Sequence, residues 1–146
     1  MKLHYKILGE GEPIIIIHGL FGMLDNWQTL AKKWAEDYQV ILVDLRNHGH
    51  SPWDDEHTYE LMMEDLEELT DDLFLDEVNI IGHSMGGKLA MKFAQTYPEL
   101  IHKLIVADIG PKKYPVHHQK ILTGLKSVPL NQMWAKSPSL TRVCIN

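Results

Sequence analysis

The stretch Val78-Asn79-Ile80-Ile81-Gly82-His83-Ser84-Met85-Gly86-Gly87-Lys88-Leu89 decides how the rest of the chain is read. Residues 78–81 are apolar enough for a strand buried on both faces. Over residues 86–97, Leu89, Phe93 and Tyr97 recur at i, i+4 and i+8, which predicts a helix, and Pro98 ends it. Between the two lies Gly-x-Ser-x-Gly. In a strand-to-helix turn this pattern forms a nucleophile elbow, with the serine in a strained backbone conformation. Side chains two residues to either side would clash there, so Gly82 and Gly86 are required. Ser84 then projects from the top of the sheet at a helix N-terminus, where backbone amides favour negative charge. The Met85 N–H is therefore a candidate oxyanion donor.

The same alternation recurs on both sides of this stretch. Residues 3–8 are expected to form an opening strand, and Gly9-Glu10-Gly11-Glu12-Pro13 a turn. Residues 14–17 are four consecutive isoleucines, a buried strand. Trp27, Leu30, Ala31, Trp34, Ala35 and Tyr38 predict a helix over about 26–37, capped by Asp25 or Asn26. Residues 40–43 are the next buried strand. A second helix, over 59–73, carries Tyr59, Met62, Met63, Leu66, Leu69 and Leu73 on one stripe. Glu60, Glu64, Glu67, Glu68 and Asp71 make up an acidic face, read as solvated surface. A fourth buried strand falls within 101–109. Buried strands separated by amphipathic helices predict an α/β fold with a mostly parallel sheet, its active site at the carboxyl ends of the strands.

Those strand ends are chemically unusual. The isoleucine strand ends in His18-Gly19-Leu20-Phe21-Gly22. An oxyanion hole needs a second backbone N–H from such a loop, and glycine lets it approach a reacting carbonyl. Leu20 is the candidate donor, with Phe21 the neighbour that would replace it. Phe21 and Leu24 adjoin this loop and are candidates to line an acyl pocket. The next strand ends in Asp44-Leu45-Arg46-Asn47-His48-Gly49-His50-Ser51, read as structural, because a buried Asp or Arg near a loop usually satisfies backbone groups.

Composition narrows the function classes. The 146 residues suffice for one domain with a core, and a content of 45% apolar and 23% charged residues is that of a globular protein. A net charge of −6 without a basic stripe gives nucleic-acid binding no support. No apolar run is long enough to span a bilayer, and residues 1–6 carry no signal-type apolar region. The single cysteine, Cys144, excludes an intrachain disulfide. A cytoplasmic location is the expectation. Oligomeric state is left open.

The motifs His-Gly-Leu-Phe-Gly, Asp-Leu-Arg-Asn-His-Gly-His-Ser and Gly-His-Ser-Met-Gly-Gly, in this order, resemble the α/β-hydrolase superfamily. More narrowly, the chain is similar to YbfF-type short-chain acyl esterases and their mitochondrial relatives. Leu24-Asp25-Asn26-Trp27 and Ala107-Asp108-Ile109-Gly110-Pro111 suit that subgroup. The resemblance implies a serine hydrolase that cleaves esters or thioesters of short acyl groups through a Ser84 acyl-enzyme. Leu20 and Met85 would hold the oxyanion, and neither metal nor organic cofactor is needed. It also implies a chain of well over 200 residues whose triad histidine follows a later strand. The expectation is thus a core truncated before its final strands over 1–110, the start of a cap over 111–133 with a helix over 115–128, and a divergent tail over 134–146. That tail reads either as the product of a frameshift or premature stop near Met133 or as a natural divergent tail. Asp108 is either the triad acid or a backbone-bonding residue beside the site. His117 and His118 are adjacent on the expected cap helix, point apart, and suit no metal. A catalytically silent chain or interaction module is the alternative, since a serine without its base is a poor nucleophile. A sheet cut short would also leave the isolated chain poorly soluble or partly unfolded.

Overall fold

The structure, a computed structural model, describes residues 1–113 together with Thr123 and Ser127. The chain divides into two compact units, Met1–Pro111 and Lys112–Asn146. The expected cap helix, His117, His118 and the tail from Trp134 lie outside the described residues.

The first unit holds five strands: β1 (Tyr5–Leu8), β2 (Glu12–Ile17), β3 (Tyr38–Val43), β4 (Val78–His83) and β5 (Ile101–Ala107). They form one sheet in the order β1-β3-β2-β4-β5, with β1 antiparallel to β3 and every other pair parallel. Three α-helices alternate with them: α1 (Gln28–Trp34), α2 (Tyr59–Asp72) and α3 (Met85–Thr96). This is the α/β-hydrolase arrangement that the motifs imply.

The isoleucine run shows why the sheet is covered on both faces. Strand side chains alternate. Ile15 and Ile17 point to one face, with Met62, Leu66 and Leu69 of α2 and Leu89, Ala90 and Phe93 of α3. Ile14 and Ile16 point to the other, with Leu24 and Ala31. Residues 14–17 pair in parallel with both Val40–Val43 of β3 and Asn79–Gly82 of β4, so β2 is the sheet's buried centre. From β2 the chain moves one way to β3, then crosses back over β2 to reach β4. The crevice between the ends of β2 and β4 is therefore the point where strand order reverses, which is where ligands bind in open α/β sheets.

Several local expectations are corrected. Glu12 and Pro13 belong to β2 rather than to a turn; proline is tolerated at the start of a strand, where its missing N–H costs little. The first helix is broken in two. A 3₁₀ segment, Leu24–Trp27, precedes α1, which ends at Trp34. The break follows from tertiary bonds: the Leu24 N–H donates to Asp44 Oδ1 at 2.7 Å. Asn26 does not cap α1 but accepts from the Met23 N–H at 2.7 Å. The acidic face of α2 is only partly solvated. Glu60 pairs with Lys92, Glu67 accepts from the Tyr97 hydroxyl at 2.7 Å, and Glu68 lies 2.9 Å from the Met1 amino group. Among the described residues, no helix is long and apolar enough to cross a membrane.

Candidate active site

The elbow is built from sterics. Ser84 sits between β4 and α3 with φ 51° and ψ −115°, a left-handed backbone that L-residues adopt only under constraint. Three contacts supply that constraint. Its N–H donates to the Ala107 carbonyl at the end of β5, at 2.9 Å. Its carbonyl accepts from the N–H groups of Gly87 and Lys88, at 3.0 and 3.2 Å, which starts α3. A Cβ on Gly82 would lie 2.5 Å from the Gly86 carbonyl, and one on Gly86 would lie 2.5 and 2.6 Å from the His18 and Ile17 carbonyls. Only glycine lets α3 start this close to the end of β2.

Gly86→Ala should therefore destabilise the fold by about 1–3 kcal/mol, because backbone cannot yield as a side-chain tip does. Thermal denaturation checks it. A variant that melts with the wild type would mean the elbow relaxes freely.

The loop after β2 lies against this turn. A Cβ on Gly19 would meet Ser84 Cβ at 3.2 Å and His83 Nδ1 at 2.9 Å. The loop is a tight turn closed by the Gly22 N–H on the Gly19 carbonyl at 2.9 Å, with Phe21 at φ 61°. That bond leaves the N–H groups of Leu20 and Phe21 outside it. Met85 is the first residue of α3, so its N–H has no acceptor within the helix.

What holds the loop is His18, 1% exposed. Its Nδ1 donates to the Gly19 carbonyl at 2.8 Å, and its Nε2 accepts from the Leu45 N–H at 3.1 Å. These partners assign the neutral ring, since Leu45 can only donate. The loop after β3 is fixed in turn by the fully buried Asp44, which accepts from the N–H groups of Leu24 and His50 at 2.7 and 2.9 Å. The Ser51 hydroxyl donates to the Asp44 carbonyl at 2.6 Å. His48 Nδ1 donates to the Arg46 carbonyl at 2.9 Å, and its ring packs on that of His18. The Asp44–Ser51 segment thus works as scaffold beneath the Gly19 loop.

Burial pushes the His18 imidazole down to about 4 from an ordinary 6.5. Between about pH 6.5 and 4 the unfolded chain takes up a proton that the folded chain refuses. Stability contributed by the neutral ring should be present above pH 6.5, fall by roughly 3 kcal/mol as pH drops through that window, and level off below it. Chemical denaturation of wild type and His18→Gln from pH 4 to 7 checks this. Glutamine can still accept from Leu45 but does not titrate, so an equally steep acid limb in the variant would assign the loss to carboxylates instead.

The candidate residues fall at the ends of three neighbouring strands: Leu20 after β2, Ser84 and Met85 after β4, and Asp108 after β5. Asp108 is again left-handed, at φ 59°, directly after the carbonyl that receives the Ser84 N–H. Its carboxylate is largely exposed, 3.7 Å from His83 Nε2. Sequence spacing alone does not show this pair, because it depends on the β4–β5 register, in which His83 lies opposite Ala107. Among the described residues, no side chain is hydrogen-bonded to the Ser84 hydroxyl. A cleft of about 360 Å³ opens beside the Gly19 loop, lined by Leu20, Asn26, Trp27, Leu30 and His83 among others. Phe21 and Leu24, the expected lining, are not part of it. Leu24 is buried in the core beneath α1 because Asp44 holds its backbone, and Phe21 is turned outward by its left-handed conformation.

Comparison with known proteins agrees with this geometry. Esterase YbfF of Escherichia coli is 42% identical over 120 residues, covering 82% of this chain and 47% of that protein. The sn-1-specific diacylglycerol lipase ABHD11 of Mus musculus is 43% identical over 117 residues, covering 76% of this chain and 38% of the relative. The chain thus spans less than half the length of the curated relatives it matches. Among solved structures, a marine microorganism esterase superposes with a TM-score of 0.86 at 48% identity, over 93% of this chain and 54% of the other. A thermophilic esterase from Thermogutta terrifontis superposes with a TM-score of 0.76 at 28% identity, over 82% of this chain and 44% of the other. The family model for the alpha/beta hydrolase fold matches residues 12–139, a span that contains the elbow, the Gly19 loop and Asp108, and the chain belongs to that family.

Proposed function

We propose that Ser84 is the nucleophile of a hydrolase acting on carboxylic esters or thioesters of short acyl groups. The observation that carries this is the left-handed Ser84 at the head of α3, with the backbone of Gly19 against its Cβ. A carbonyl attacked by Ser84 Oγ would place its developing oxyanion between two strand ends, where the Leu20 and Met85 N–H groups serve as donors. The serine proton passes to a histidine as the C–O bond forms. Collapse of the tetrahedral intermediate expels the alcohol or thiol, which takes that proton. Water, activated by the same base, then releases the acid. Asp108 is the carboxylate we assign to orient that base. Its support is position: it follows the residue that anchors the Ser84 backbone.

One observation favours a second reading, a catalytically silent chain: no described histidine bonds the Ser84 hydroxyl. A fluorophosphonate probe distinguishes the two. Stoichiometric labelling of the 146-residue chain at Ser84, with hydrolysis of p-nitrophenyl butyrate, would show that a base lies within reach of the serine and establish the first reading. An unlabelled, inert but folded chain would establish the silent reading.

A further inference from the structure

We propose that Trp27 limits the length of acyl chain that the site accepts, the chain lying in the cleft beside the Gly19 loop. This rests on Ser84 being the nucleophile. Gly19 connects the two features, since it lines the cleft and lies close enough to Ser84 that a Cβ on it would be 3.2 Å from Ser84 Cβ. An acyl group bonded at Ser84 therefore has this cleft beside it. The walls are apolar: Leu20 and Leu30 are 36% and 43% exposed, so an alkyl chain between them removes their surface from water.

The polar groups in the lining are largely occupied. His18 spends both ring nitrogens on Gly19 and Leu45, and the Asn26 side-chain oxygen accepts from Met23. The buried His18 offers an anionic chain no charge, its ring staying neutral above about pH 4, and the other histidine of the lining, His83, has Nε2 3.7 Å from the Asp108 carboxylate. An uncharged, unbranched aliphatic acyl group is the class that fits. Trp27 is the largest side chain of the lining and is held in place: it packs on the core around Ile14 and Ile16 and meets the His83 ring edge-on, centroids 6.2 Å apart. Bulk fixed in this way does not swing aside for a longer chain.

The test uses p-nitrophenyl alkylphosphonates with ethyl to octyl groups on phosphorus, on the full chain, read by intact mass. Ser84 Oγ displaces p-nitrophenolate, which leaves with the bonding pair as the serine proton goes to the base. Wild type should react fastest with short chains. In Trp27→Ala the octyl-to-ethyl rate ratio should rise about fourfold for each methylene newly accommodated, with Trp27→Phe in between. A ratio unchanged in a folded, reactive Trp27→Ala overturns the proposal. A second measurement needs no reaction. Short brominated aliphatic amides should quench tryptophan fluorescence saturably in wild type, and Trp27→Phe should lose that component. No saturable component in wild type overturns the cleft proposal. Quenching without any labelling instead overturns the role given to Ser84.

Discussion

In a chain that includes its triad histidine, replacing Ser84 with alanine is expected to lower acyl-ester turnover by a factor on the order of 10⁶ and to abolish fluorophosphonate labelling, with no loss of thermal stability. The substitution deletes one oxygen. Ser84 Oγ has no hydrogen-bond partner among the described side chains, so the fold loses nothing that it was holding. Alanine inherits the left-handed φ of 51° and therefore its strain. Glycine adopts that backbone freely, so Ser84→Gly should be equally inactive yet more stable than wild type by about 1 kcal/mol. Two variants with the same activity and different stability would separate the serine's chemistry from the strain that aims it. If Ser84→Gly melted below wild type, the left-handed conformation would carry no strain, and the close packing of Gly82, Gly86 and Gly19 would have to account for the elbow alone. If Ser84→Ala kept its turnover, another group would be the nucleophile.

The strands were legible because each buried strand carries a run that no solvated segment would. The isoleucines at 14–17 and the stretch Val40-Ile41-Leu42-Val43 need partners on both faces, and the sheet supplies them. The elbow was legible because its two glycines and serine sit between a strand and a helix, and sterics leave that combination few alternatives. What could not be read were features set by residues remote in sequence. The 3₁₀ segment at Leu24–Trp27 exists because Asp44, twenty residues on, draws the Leu24 N–H. Leu24 there belongs to the core, and Trp27, not Phe21, lines the cleft. The proximity of His83 and Asp108 depends on the β4–β5 register, in which His83 lies opposite Ala107. The periodicity of α2 marked its apolar stripe correctly, but charge alone could not show which carboxylate turns inward.

That carboxylate is Asp65, and Asp65→Ala is expected to cost about 3–5 kcal/mol, a large share of a small domain's stability. Asp65 is 1% exposed on the inner face of α2. Its two oxygens accept from Arg46 Nε at 2.6 Å and Nη2 at 2.8 Å, a bidentate pair with both partners buried. Arg46 Nη1 donates onward to the Glu56 carbonyl at 3.1 Å, so one guanidinium ties α2 to the loop after β3 and to the segment that leads into α2. The Met1 amino group also donates to Asp65, at 2.5 Å, and this bond raises the pKa of that amino group. Alanine would leave the Arg46 charge buried without its counter-ion. That desolvation penalty, rather than the strength of the pair, makes up most of the loss. The double replacement Arg46→Met with Asp65→Leu removes both charges and should recover most of it, though not all, because Met1 keeps only Glu68 as a partner. Chemical denaturation of the two single variants and the double variant measures the coupling. If the double variant fell by the sum of the two singles, the residues would be acting independently, and α2 would owe its place on the sheet to Met62, Leu66 and Leu69 alone.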